Sequence, residues 1–117
     1  VPPLFTETIV VLRAPTTGRD SQGNVVRDWS AAARTTYRQV SVQPRTSTES
    51  RGEPRSRTVT GWRIQSRAGV DIDVVSTDRV EWADKVLEVL GDVDRWPHPI
   101  RPGSVHHVEF DVQRVRG

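Results

Sequence analysis

Three histidines, three aspartates and a run of arginines are the side chains in this sequence whose type and spacing could do chemistry. His106 and His107 are neighbours in an alternating stretch. On a strand, adjacent side chains point to opposite faces, so this pair is not expected to share a metal ion. His98 stands between Pro97 and Pro99 and reads as part of a rigid turn. Asp71, Asp73 and Asp78 have the look of half a calcium loop, but the Gly and the terminal Glu of such a loop are missing; a solvated turn is expected. There is no Cys, so thiolate chemistry and disulfides are excluded. No Gly-x-Ser-x-Gly elbow and no phosphate-cradling glycine loop occurs. No enzyme, cofactor or metal is expected.

The arginines point elsewhere. Residues 45–58 read RTSTESRGEPRSRT, with no apolar side chain among them. Such a stretch buries too little surface to order itself, and unstructured loops of this length are usually functional or disordered. Arg45, Arg51, Arg55 and Arg57 stand against Glu49 and Glu53, with Gly52 and Pro54 between them; the segment carries +2. On one chain that charge is weak. A ring of six copies would gather +12 about an axis and a ring of twelve +24, a field that matters beside a duplex with one charge per roughly 1.7 Å.

The elements that must carry this loop are strands. Val and Ile number 23 against 4 Leu, a bias toward pleated, half-buried surface. The length of 117 residues suits one domain. The longest apolar run is Ile9-Val10-Val11-Leu12, far short of a transmembrane helix, and no membrane partner is expected. Period-two patterns and turn residues place strands at 7–13, 25–29, 37–44, 57–66, 77–82, 85–90, 93–96 and 104–115. Val40 and Val42 share one face of the third. Thr58, Thr60, Trp62 and Ile64 share one face of the fourth. In the last, His106, Val108, Phe110 and Val112 face one way, and His107, Glu109, Asp111 and Gln113 the other. Residues 14–18 read as a loop, 19–24 as a turn, and 30–34 as one helical turn capped by Ser30. The paired prolines make residues 1–6 an arm. Trp29, Trp62, Trp82 and Trp96 either anchor the core or, beside Arg, stack nucleic-acid bases; core anchoring is the expectation. The fold class expected is all-β: a small single-domain β-barrel over 1–117 with one long hairpin loop at 45–58 projecting from it.

Charge is divided along the chain. Residues 1–70 carry 11 Arg against 5 acids, net +6, and residues 71–117 carry 6 basic against 10 acidic groups, net −4. The division suits subunits packed head to tail, or different partners at two ends.

The order of segments resembles a known family. Asp20…Gly23-Asn24-Val25-Val26…Asp28-Trp29-Ser30 is followed by Val40-Ser41-Val42-Gln43-Pro44, the polar loop, and Val59-Thr60-Gly61-Trp62-Arg63. Then come Thr77-Asp78-Arg79-Val80-Glu81-Trp82, Val86-Leu87-Glu88-Val89-Leu90-Gly91-Asp92-Val93, Trp96-Pro97 and His106-His107-Val108-Glu109. Across nearly the whole chain this is similar to the head-to-tail connector (stopper, or head-closure) proteins of long-tailed phages of actinobacteria, and 16 Arg against one Lys agree with a GC-rich host.

The resemblance implies a homo-oligomeric ring, a hexamer or dodecamer, at the virion neck, assembled in the host cytoplasm. One side would meet the portal and adaptor, the other the tail terminator. A loop would project toward packaged double-stranded DNA and close the channel. Arg45, Glu49, Arg51, Gly52, Glu53, Arg55 and Arg57 occupy that loop here. Two alternatives differ in class. A tail-terminator or tail-completion protein would carry helices packed on a sheet, and no amphipathic helix of ten residues is found. A barrel that binds free single strands would interleave aromatics with Arg, and the basic loop has none.

Overall fold

The computed structural model describes residues 4–48 and 57–115. Eight strands form: β1 (Glu7–Arg13), β2 (Thr16–Arg19), β3 (Val25–Arg27), β4 (Ala33–Thr48), β5 (Arg57–Ser66), β6 (Arg79–Trp82), β7 (Lys85–Pro97) and β8 (Val105–Arg114). Six of them close an antiparallel barrel in the order β1-β4-β5-β8-β7-β6, and β2 pairs with β3 as a separate hairpin. Where its six strands pair, closure removes the sheet edges that a small all-β domain would otherwise expose.

The inward faces supply the core. Ile9, Val40, Ile64, Val80, Leu87, Val108, Phe110 and Val112 are fully buried, each worth about 1.5–3 kcal/mol relative to exposure. The alternation expected in the last strand is realised: Val108, Phe110 and Val112 point inward, while Glu109, Asp111 and Gln113 lie on the partly exposed outer face. Ile72 and Val74 complete the core from outside any strand. Their segment is tied down by side chains instead of a ladder. Tyr37 Oη accepts from Asp73 N (3.0 Å), and Arg95 Nη2 donates to the carbonyls of Ile72 (3.2 Å) and Val74 (2.9 Å).

Several boundaries differ from the sequence reading. The strand expected at 37–44 runs from Ala33 to Thr48, so residues 45–48, expected in the loop, are strand. Arg57 and Thr58, expected in the loop as well as in the fourth strand, begin β5. Pairing on β5 satisfies the backbone of these polar residues, which their side chains alone would not order. Segments 85–90 and 93–96 are one strand, interrupted by a bulge at Gly91 with φ 65°. Only glycine takes that conformation at little cost. The expected helical turn over 30–34 is a 3₁₀ turn at Trp29–Ala31, capped by the carboxylate of Asp28, which accepts from Ser30 N at 3.1 Å. Part of the expected 14–18 loop belongs to β2. The turn at 19–24 forms as expected: Asp20 accepts from the backbone amides of Gln22 and Asn24 at 2.9 Å each.

The radius of gyration is 16.4 Å, above the about 13 Å usual for this length. The β2–β3 hairpin and the outer halves of β4 and β5 extend beyond the barrel wall.

Candidate functional site

The stem of the long hairpin is the site the sequence singles out. β4 pairs with β1 only as far as Val40, opposite Glu7, and β5 pairs with β8 only from Trp62 to Gln65. Beyond Arg45 and Gly61 each strand has only the other as partner, through Thr46–Val59, Ser47–Thr58 and Thr48–Arg57. A bulge sits at the exit: the register shifts between Arg45 and Thr46, and Thr60 Oγ1 donates to the Arg45 carbonyl at 3.2 Å. Gly61 is buried there because β8 passes close. A Cβ at this position would stand 2.3 Å from the Val112 carbonyl oxygen, inside van der Waals contact.

Of the candidate residues, Arg45 lies on β4 with its Nε 3.6 Å from Asp111 Oδ1. Arg57 opens β5 opposite Thr48. Glu49, Arg51, Gly52, Glu53 and Arg55 lie outside the described residues, as do residues 1–3 of arm 1–6.

Arg45 belongs to a charged row that the sequence reading did not assemble. Arg63 donates from Nη1 to Asp111 (2.9 Å) and from Nε to Glu109 (3.0 Å), and its Nη2 lies 3.5 Å from Asp94. Glu109 Oε2 meets His107 Nε2 at 2.8 Å. Burial pushes the Glu109 carboxyl up, but its bonds to His107 and Arg63 outweigh this and hold it below the usual carboxylate range. Burial likewise opposes the charge on Arg63, and Asp111 and Glu109 together more than restore it. The signal lay in the alternation of residues 107–113: a polar face on the last strand needs a cation across from it, and register places Arg63 opposite Asp111.

The histidines depart from expectation. Register shifts between Trp96–His107 and Pro97–Val105, which leaves His106 extra on β8. Such a bulge re-aims side chains, and His106 Nδ1 lies 2.8 Å from His107 Nδ1 instead of on the opposite face. His98 Nδ1 accepts from the amides of Ile100 and Arg101 (3.1 Å each), the rigid turn expected. Among the described residues no group of three or more His, Asp or Glu side chains is placed to hold a metal ion.

The acidic trio is a solvated turn only in part: Asp71 and Asp73 are exposed as expected, and Asp78 is not. Asp78 is buried, bonded to Arg13 Nη2 at 2.8 Å and accepting from Val75 N at 3.0 Å. Asp73 also pairs with Arg13, and Asp71 with Arg95. None of the tryptophans is fully buried, but two anchor the core from outside as expected. Trp62 and Trp82 pack on its rim with ring centroids 5.6 Å apart and Lys85 over both. Trp29 stacks under Arg79, and Trp96 lies flat on His107, half exposed. Indole N–H groups favour such rims, where one end can be wet; Trp82 Nε1 donates to Glu7 at 2.9 Å.

With this geometry in place, comparison with solved structures gives a full-length likeness of fold. The fold is that of a virion protein chain. The match is to a chain of the virion of a native gene transfer agent (GTA) particle, with a TM-score of 0.52 and 16% identity, and it covers 100% of both chains. At that identity the likeness is one of fold. No family model and no curated protein matches the chain.

Proposed function

We propose that this chain is a structural, non-enzymatic component of a phage-like virion, and within it the ring-forming stopper of the neck. In this reading copies surround the channel between portal and tail, close it after DNA packaging, and offer the tail its docking surface. The observation that carries the reading is the likeness, over the full length of both chains, to a chain of a gene transfer agent virion. The hairpin stem supports the finer role. It leaves the barrel as a two-stranded arm, and the segment it bears, 49–56, is polar throughout with Arg51 and Arg55 beside Glu49 and Glu53. A polar segment on a two-stranded stem can meet DNA phosphates through Arg and can change arrangement at modest cost.

The test is electron microscopy of particles made without this chain. The expected result is packaged but tailless heads, partly emptied, beside complete free tails. Joined heads and tails, or aberrant tails, would remove the neck role.

A further inference from the structure

The barrel wall is incomplete at one place. β6 pairs with β7 only along Lys85–Glu88, while β7 continues to Pro97 with β8 as its partner on the other side. Among the described residues, the β6 side of β7 therefore has no strand along Asp92–Pro97. Ile72 and Val74 lie buried beside this gap, and the Arg95 guanidinium reaches across to their carbonyls. What remains is an open groove of about 760 Å³ between Val75-Ser76 and β7. Val75 (42% exposed) and Trp96 (49%) are apolar on its walls. Asp92, Asp94 and Arg95 line it as well; Asp94 is paired with Arg63 and Arg95 with Asp71, and Asp92 is the charge left over.

A second feature is complementary. Among the described residues the β2–β3 hairpin pairs only with itself, and a lone two-stranded hairpin is marginal in water. Its β3 edge is Val25-Val26-Arg27, with Val25 46% and Val26 40% exposed. Apolar residues on a bare edge are an aggregation hazard unless something covers them. Among the described residues Arg27 and Asp92 have no ion-pair partner.

We propose that the β2–β3 hairpin of one copy docks its Val25-Val26-Arg27 edge on the open β7 edge of the next, beside Val75 and Trp96, with Arg27 against Asp92. Strand addition of this kind satisfies backbone groups on both sides. The two surfaces differ, so the contact is heterologous and repeats head to tail until it closes. This rests on the ring reading above and names the joint by which the ring forms.

The chain has no Cys, which makes cross-linking clean. A Val26→Cys chain and a Ser76→Cys chain, each altered at an exposed position, are mixed at high concentration with a short bis-maleimide. Heterodimer is expected in clear excess over homodimer of either chain. Adding Arg27→Glu to the first chain should lower the yield about fivefold, the size of a modest ion pair, and Asp92→Lys on the second should restore it. A chain carrying both Cys should give a ladder beyond dimer. Equal homodimer and heterodimer, no response to Arg27→Glu, or a ladder that stops at dimer would each overturn the proposal. The measurement is made in solution, so it is separable from the virion role. Cross-linking as expected by a chain absent from purified particles keeps the joint and loses that role. A particle-borne chain that never cross-links does the reverse.

Discussion

At the scale of single residues, two positions carry more than their side chains suggest. Gly61 matters for its missing Cβ. The obstacle is the Val112 carbonyl, which is backbone and cannot swing away. Gly61→Ala is expected to cost about 1–3 kcal/mol, the range for forced overpacking, read as a lower urea midpoint at unchanged slope. Glu109 matters for its protonation. Its folded value lies below the ordinary one because the pull of His107 and Arg63 exceeds the push of burial. Its contribution to stability is therefore complete above the ordinary Glu value near pH ~4.3 and is lost as pH falls through the depressed folded value. Glu109→Gln should be less stable than the parent chain at pH 7, and the difference should shrink and close as melts are repeated toward pH 2.5. A difference that stayed constant with pH would show that the carboxylate's charge does not stabilise the fold.

At the scale of elements, the long hairpin divides into a part that belongs to the barrel and a part that does not. Val42, Gln43 and Pro44 pair with Ile64, Arg63 and Trp62, and β8 backs that stretch. From Thr46 outward the two strands support only each other. Deleting 46–56 removes no buried apolar residue. The barrel should keep its near-UV spectrum and melt within a few degrees of the full chain, since 1 kcal/mol moves a domain of this size by about 4 °C or more. A large drop in the melting temperature would mean that the arm braces the barrel. The β6–β7 connection makes a related point about local chemistry. Ala83 and Asp84 both take positive φ (48° and 63°) between the paired residues Trp82 and Lys85, the two-residue hairpin geometry normally signalled by Asn-Gly. Pairing on both flanks imposes it where the residues themselves do not request it.

At the scale of the whole molecule, the division of charge acquires a spatial meaning. The basic first portion holds β2, β3 and the hairpin stem, while the acidic second portion holds β7 and the outer face of β8. Part of that acidity is used internally, since Arg63 and Arg45 neutralise Asp111 and Glu109. Asp92 remains for a neighbour. In a particle, the same 46–56 deletion should let heads form and fill but then lose their DNA, measured as the DNA-to-capsid ratio of purified heads. Normal retention would remove the gate from this loop while leaving a virion role intact.

Composition and period two alone determined that the chain is all-β, placed β1 and β5 at their observed ends, and picked the inward face of β8. These are local consequences: β-branched residues prefer pleated backbone, and alternation must match a buried side. The polarity of the 45–58 segment was equally legible, because burial needs apolar atoms and it has none. Only the tertiary structure decided where that segment stops being loop, since residues 45–48 become strand by pairing with Gly61, Val59, Thr58 and Arg57, a contact no single window of sequence contains. It also decided that His106 and His107 meet, through a bulge set by the register of β7 on β8. It buried Asp78 by bringing Arg13 to it across 65 positions of chain. It kept the tryptophans at the rim, because the interior fills with Val, Ile, Leu87 and Phe110. Register and closure join residues far apart in sequence, and their energies exist only once the barrel has closed.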